Sequence, residues 1–143
     1  MPRRRKPSLF LQLWTAAHTA ERLVARMLEE AGVEDEQFAL LLLLAAYGPL
    51  TTSEVAAELG VPFTTASDAL SRLDARGELE RVPNPTDARS HLLQLSPLGW
   101  KRVDAAEPVL RRAAAQLRRH MDAPVEPTLD DLLLALREIS RNP

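Results

Sequence analysis

Six residues between a proline and a glycine carry the side chains with the clearest chemical use in this 143-residue chain. At 100° per residue, Thr64, Asp68 and Ser71 fall on one face of a single helix, with Thr65 and Arg72 to one side and Ser67 to the other. Ala66, Ala69, Leu70 and Leu73 fill the opposite, inward stripe. Hydroxyls of this kind donate to phosphate and sugar oxygens, and an arginine pairs bidentately with guanine. Periodicity alone reads the face as an ordinary solvated one. A second group, Asp87 and Arg89, sits in a stretch rich in turn formers, Pro83 to Ser90.

Other chemistries find no support. The chain has no cysteine, which removes disulfides, thiolate ligands and thiol nucleophiles together. His18, His91 and His120 are scattered, so no metal site is read. No phosphate-cradling glycine loop, nucleophile elbow or paired catalytic carboxylates stand out, and nothing calls for a cofactor or an enzyme activity.

Helices and one strand pair must position these residues. A helix is predicted from about Ser8 to Ala31, and an almost wholly apolar one from about Glu34 to Tyr47. Thr51 and Glu54 offer a capping box for a short helix ending at Leu59, and Pro62 opens the helix of the polar face, which runs to about Arg76. Gly32, Gly48, Gly60 and Gly77 stand where helical patterns stop and are candidate C-caps. Strands over Glu78 to Val82 and His91 to Leu95 form a hairpin with a long tip. Ser96-Pro97 begins a long helix to about Met121 that Pro108 is expected to kink, and Thr128 caps a last helix from Leu129 to about Arg141. Leu132, Leu133, Leu136 and Ile139 stripe that last helix.

A short helix, a tight turn, a second helix with a polar outer face and a hairpin with an arginine at its tip describe a mainly α winged helix-turn-helix. The stretch from Leu50 to Trp100 resembles the multiple-antibiotic-resistance regulator (MarR) family of bacterial transcription factors. Asp87-x-Arg89, the preceding Asn84-Pro85-Thr86, the Arg-Gly-x-Leu-x-Arg of Arg76 to Arg81 and the Leu-Ser-Pro-x-Gly of Leu95 to Gly99 carry the likeness.

The resemblance implies one domain over residues 1–143, with dimerisation helices at 8–31 and 97–142 around a winged core at 34–96. It implies a homodimer on a pseudo-palindromic operator, acting as a repressor and released by a small aromatic or anionic effector. Double-stranded DNA would meet Thr64, Thr65, Ser67, Asp68, Ser71 and Arg72 in the major groove, and Arg89 in the minor groove. Arg76 and Arg81 join this set as partners for Asp87, which would hold one of them in place. Asp68 departs from the basic or neutral residue common in the family. It either accepts from a cytosine amino group or pairs with Arg72 at i,i+4, and the second use is preferred. Trp14, His18, Phe38 and Leu42 are the candidates for an effector cleft. Plain core packing is the competing reading for these rings, as for Tyr47 and Trp100. A winged-helix protein-interaction module without sequence-specific DNA binding is the alternative function.

Charge sharpens that alternative. The formal charge is −2, but residues 1–33 carry +3, 34–50 carry −3, 51–100 carry −3 and 101–143 carry +1. The candidate DNA-binding stretch is itself acidic, so affinity would rest on a few placed arginines and on helix N-termini; the tail Arg3-Arg4-Arg5-Lys6 reads as a disordered tail, with a flexible basic arm that adds phosphate contacts as the alternative. No apolar run is long enough to cross a bilayer and no signal peptide is read, so the expected compartment is the cytoplasm.

Overall fold

The computed structural model describes residues 6–32 and 37–141. Its elements are α1 (Leu9–Glu30), α2 (Phe38–Tyr47), α3 (Thr52–Leu59), α4 (Phe63–Ala75), β1 (Leu79–Pro83), β2 (His91–Leu95), α5 (Pro97–Arg119) and α6 (Glu126–Arg141). This is the mainly α winged helix-turn-helix architecture. The chain divides into two compact units, Met1–Pro108 and Val109–Pro143, the division falling at the proline inside α5. The acids Glu34 to Glu36 and the basic residues Arg3 to Arg5 lie outside the described residues.

In the first unit α3 packs on α4, and the hairpin packs on α2 and α4. Small buried residues, Ala56 on α3 and Ala66 on α4, line the interior with Leu70 and Leu73. Thr51 Oγ1 accepts from the Glu54 amide at 3.2 Å while the Glu54 carboxylate accepts from the Thr51 amide at 2.7 Å, which closes the capping box. Gly60 then takes the left-handed conformation (φ 65°) that terminates α3, and Val61 N–H bonds back to the Ala56 carbonyl. Pro62 is the N-cap of α4, not its first helical residue. Of the four predicted glycine caps, Gly32, Gly60 and Gly77 are left-handed, whereas Gly48 follows α2 with φ −52°.

The Thr51 hydrogen bonds, first from its backbone and then from its side chain, hold the Glu54 carboxyl below the usual carboxylate range. A depressed folded pKa gives stability that is present above the unfolded value and is lost as pH falls through the folded one. Thermal melts of Glu54→Gln between pH 6 and 3 are therefore expected to fall less steeply than those of the parent. Parallel curves would show that the box carries no charge-dependent stability.

The hairpin is antiparallel, with Leu79 opposite Leu95, Arg81 opposite Leu93 and Pro83 opposite His91. Leu50 adds a bridge on its outer edge, exchanging hydrogen bonds with Leu93 at 3.0 and 2.8 Å. The sequence gives little sign of this, because one apolar residue between a proline and a capping box has no strand pattern. Ser96 locks the base of the hairpin: its hydroxyl donates to the Gly77 carbonyl at 2.6 Å and accepts from the Gly99 amide at 3.1 Å. Gly99 itself lies so close to the Glu78 carbonyl that a Cβ there would collide with it.

The last helix begins at Glu126, earlier than predicted, so Thr128 lies inside it and is not its cap. Pro127 is tolerated because first-turn amides have no intrahelical acceptor to lose. Arg118 is not simply solvated: its Nε donates to Glu126 at 2.7 Å within the second unit. No residue of α6 is buried, and Leu129, Leu133, Leu134 and Ile139 are exposed along it. Leu9, Phe10, Leu11 and Trp14 are likewise exposed on α1, where only Leu28 is buried.

Candidate nucleic-acid interface

The outer face of α4 is a direct consequence of its inner one. Ala66, Leu70 and Leu73 are buried, and that anchorage turns Thr64, Thr65, Asp68, Ser71 and Arg72 to solvent. Ser67 is half-buried because it looks sideways into a groove of about 420 Å³. The groove runs between the first turn of α3, the flank of α4 and the hairpin. It gathers Ser67 and Ser71 with Arg81 and Arg89, so four of the predicted residues meet at one depression. Thr64, Thr65, Asp68 and Arg72 do not line it; they occupy the convex face beside it.

The hairpin tip braces itself. Asn84 Oδ1 accepts from the Thr86 amide at 3.0 Å and its Nδ2 donates to Ser90 Oγ at 2.8 Å, while Asp87 Oδ1 accepts from the Arg89 amide at 3.0 Å. Asp87 thus shapes the turn and does not hold Arg81 or Arg76, contrary to expectation. A short carboxylate two residues before an amide closes an Asx turn locally, ahead of any longer-range ion pair. Arg89 is exposed, and its guanidinium makes no ion pair among the described residues.

The other arginines are committed differently. Arg81 donates to Asp74 of α4 at 2.8 Å, which ties the hairpin to the helix. Arg76 forks onto Glu78, its Nε and Nη2 lying 3.1 and 3.0 Å from the two carboxylate oxygens, and also donates to Gln37. Arg102 of α5 approaches the same carboxylate at 3.6 Å. The Glu78 side chain is only 3% exposed, so the guanidinium of Arg76, itself 39% exposed, answers a buried charge. The preferred i,i+4 pair is also absent: no ion pair joins Asp68 to Arg72 among the described residues. Both side chains extend into water, where such a pair gains little over hydration.

Five contributors were not legible as site residues. Phe63, 54% exposed at the start of α4, lines the groove with His91 and the α3 turn residues Thr52 and Ser53. For Phe63 a signal existed, since 63, 67 and 71 repeat at i,i+4 and share one helix face. Glu78 went unnoticed because a carboxylate in a strand pattern reads as a solvent-facing residue.

The effector candidates divide. Phe38 is buried in the core and Leu42 half-buried, but Trp14 is 62% exposed and meets the exposed His18 in a tilted ring contact, with centroids 4.4 Å apart. Tyr47 and Trp100 are also exposed, so core packing within the chain fails for four of the five rings. None of Trp14, His18, Phe38 or Leu42 lines the groove. Among the described residues no cluster of three His, Asp or Glu side chains could hold a metal ion, and no helix is long and apolar enough to cross a membrane.

A helix with a displayed polar face beside a self-braced, arginine-tipped hairpin defines a winged helix-turn-helix DNA-binding protein. Residues 31–90 match the MarR family. An uncharacterised HTH-type transcriptional regulator of Bacillus subtilis, YdcH, is 31% identical over 104 residues, covering 70% of this chain and 71% of the relative. The chain belongs to the MarR family, whose members are transcription regulators and not enzymes. Among solved structures, the transcriptional repressor CouR bound to a 23-mer DNA duplex is similar with a TM-score of 0.69 and 26% identity, over 93% of this chain and 92% of that one. NadR in complex with 4-hydroxyphenylacetate shares the fold with a TM-score of 0.81 and 24% identity, over 97% and 99%.

Proposed function

We propose that this regulator is a cytoplasmic repressor that binds a pseudo-palindromic operator as a homodimer and is released by a small aromatic or anionic effector. The observation that carries the DNA-contact reading is the pairing of Arg89, displayed without an ion-pair partner, with the exposed face of α4 across one groove. In this reading α4 enters the major groove with Thr64, Thr65, Ser67, Ser71 and Arg72, and Arg89 reaches the adjacent minor groove. Residues 8–31 and 97–142 supply the dimer contacts of a single functional domain, consistent with the exposed apolar faces of α1 and of α6. Two recognition helices then sit about one helical turn of DNA apart. The DNA-bound repressor CouR and the 4-hydroxyphenylacetate complex of NadR support DNA and an effector as partners.

Anisotropy titration with the DNA upstream of its own coding sequence tests this. Salt-sensitive, sequence-selective binding below micromolar protein is expected, with a shallow salt slope because few cations are displayed. Arg89→Ala is expected to weaken binding to A·T-flanked sites, and Arg72→Ala to relax preference at one base pair, each by about 1–3 kcal/mol. Equal losses on cognate and random DNA would remove Arg72 from base reading. The net −3 of residues 51–100 favours a second reading, a protein-interaction module, which absence of selective DNA binding would support.

A further inference from the structure

The middle of the α4 face holds a carboxylate, in the place where a DNA-binding surface least tolerates one. Asp68 is exposed, with Thr64 and Thr65 one turn before it and Ser71 and Arg72 one turn after. Its two possible uses were to orient Arg72 or to meet the DNA itself, and the structure shows no ion pair between Asp68 and Arg72. The contrast with Asp74 is informative. That aspartate, six residues on, accepts at Oδ2 from both Nε and Nη2 of Arg81, which offsets its charge. Asp68 is the carboxylate of α4 left facing outward.

A carboxylate lowered into a major groove meets acceptors almost everywhere. Guanine shows N7 and O6, thymine shows O4, and adenine shows an amino group flanked by the N7 acceptor. Cytosine alone presents an N4 amino donor with no acceptor beside it on its own edge. We propose that Asp68 is a specificity-determining residue that accepts a hydrogen bond from a cytosine N4 amino group in each operator half-site. The proposal rests on the DNA-binding reading above and adds the base. Most of its selectivity comes from repulsion of the other three bases, so Asp68 weakens binding to unrelated DNA more than it strengthens binding to the operator. Arg72 stands four residues on, about 6 Å along the helix, which is roughly two base-pair steps of 3.4 Å. A guanine read by Arg72 is therefore expected within about two base pairs of the cytosine read by Asp68.

The test is selection from a pool of duplexes with a randomised core by the full chain and by Asp68→Ala, Asp68→Asn and Arg72→Ala, with thermal melts to confirm that each variant is folded. The parent is expected to enrich a motif with a cytosine at one position per half-site. Asp68→Ala should reduce enrichment at that position about tenfold, leave the other positions intact and bind random duplex several-fold more tightly. Asp68→Asn should move the preference there from cytosine toward adenine, because an amide pairs with adenine N6 and N7. An unchanged motif with Asp68→Ala would overturn the proposal while leaving the DNA-binding reading in place. Loss of the same base preference from Asp68→Ala and Arg72→Ala would also overturn it, since Asp68 would then act only by orienting Arg72. No motif from the parent would overturn the DNA-binding reading and this proposal with it.

Discussion

Leu73→Ala is expected to lower the unfolding free energy by about 3–5 kcal/mol, the range for emptying a fully buried leucine site. Leu73 is completely buried on the inward stripe of α4, and its carbonyl accepts from the Glu78 amide at 3.0 Å where the chain turns toward β1. The cavity would open beneath the helix that displays Thr64, Asp68 and Arg72, where α4 packs on α3 and the hairpin. Because a domain of this size has about 5–15 kcal/mol in total, such a loss removes a large share of the folded population's margin. Urea titration at fixed protein concentration should show a lower midpoint with an unchanged slope. Ser71→Ala, exposed on the same helix two residues away, should stay within about 0.5 kcal/mol of the parent. A Leu73→Ala loss as small as that of Ser71→Ala would mean that the inward stripe does not anchor the recognition face.

That stripe was legible in the sequence because it is local. The capping box of Thr51 and Glu54, the left-handed turn at Gly60 and the Ser96-Pro97 start of α5 are decided within four residues by backbone donors and side-chain oxygens. The same reasoning misplaced the start of α6, where Thr128 had the right chemistry for a cap but Pro127 and Glu126 were already helical. What could not be read were choices made across the fold. Asp74 took Arg81 and Glu78 took Arg76, so the partners expected of Asp87 were already engaged. The exposure of Trp14, Tyr47 and Trp100 was hidden for a related reason: periodicity shows that a helix has an apolar face but not whether its own chain covers it.

Arg76 poses the sharpest case, because the sequence placed it among the DNA contacts and the structure gives it an intramolecular task. Arg76→Ala is expected to destabilise the fold by about 3 kcal/mol, since it leaves the buried Glu78 carboxylate with only the more distant approach of Arg102. Glu78→Met is expected to change stability by less than about 1 kcal/mol, because an apolar side chain of similar volume removes the desolvated charge and the partly exposed Arg76 can hydrate. The two changes must then be strongly non-additive. In the Glu78→Met background Arg76→Ala should cost about 2 kcal/mol less than it does alone, a coupling that urea titrations of the four proteins would measure. DNA affinity separates structure from contact. If Arg76 acts only by answering Glu78, the double variant binds operator as Glu78→Met does. If Arg76 touches phosphate, the double variant binds more weakly than Glu78→Met by a similar factor on cognate and random duplexes, with a salt slope lower by about one ion. The bidentate geometry at 3.1 and 3.0 Å favours the first outcome, because a guanidinium that left for a phosphate would strand a charge that is only 3% exposed.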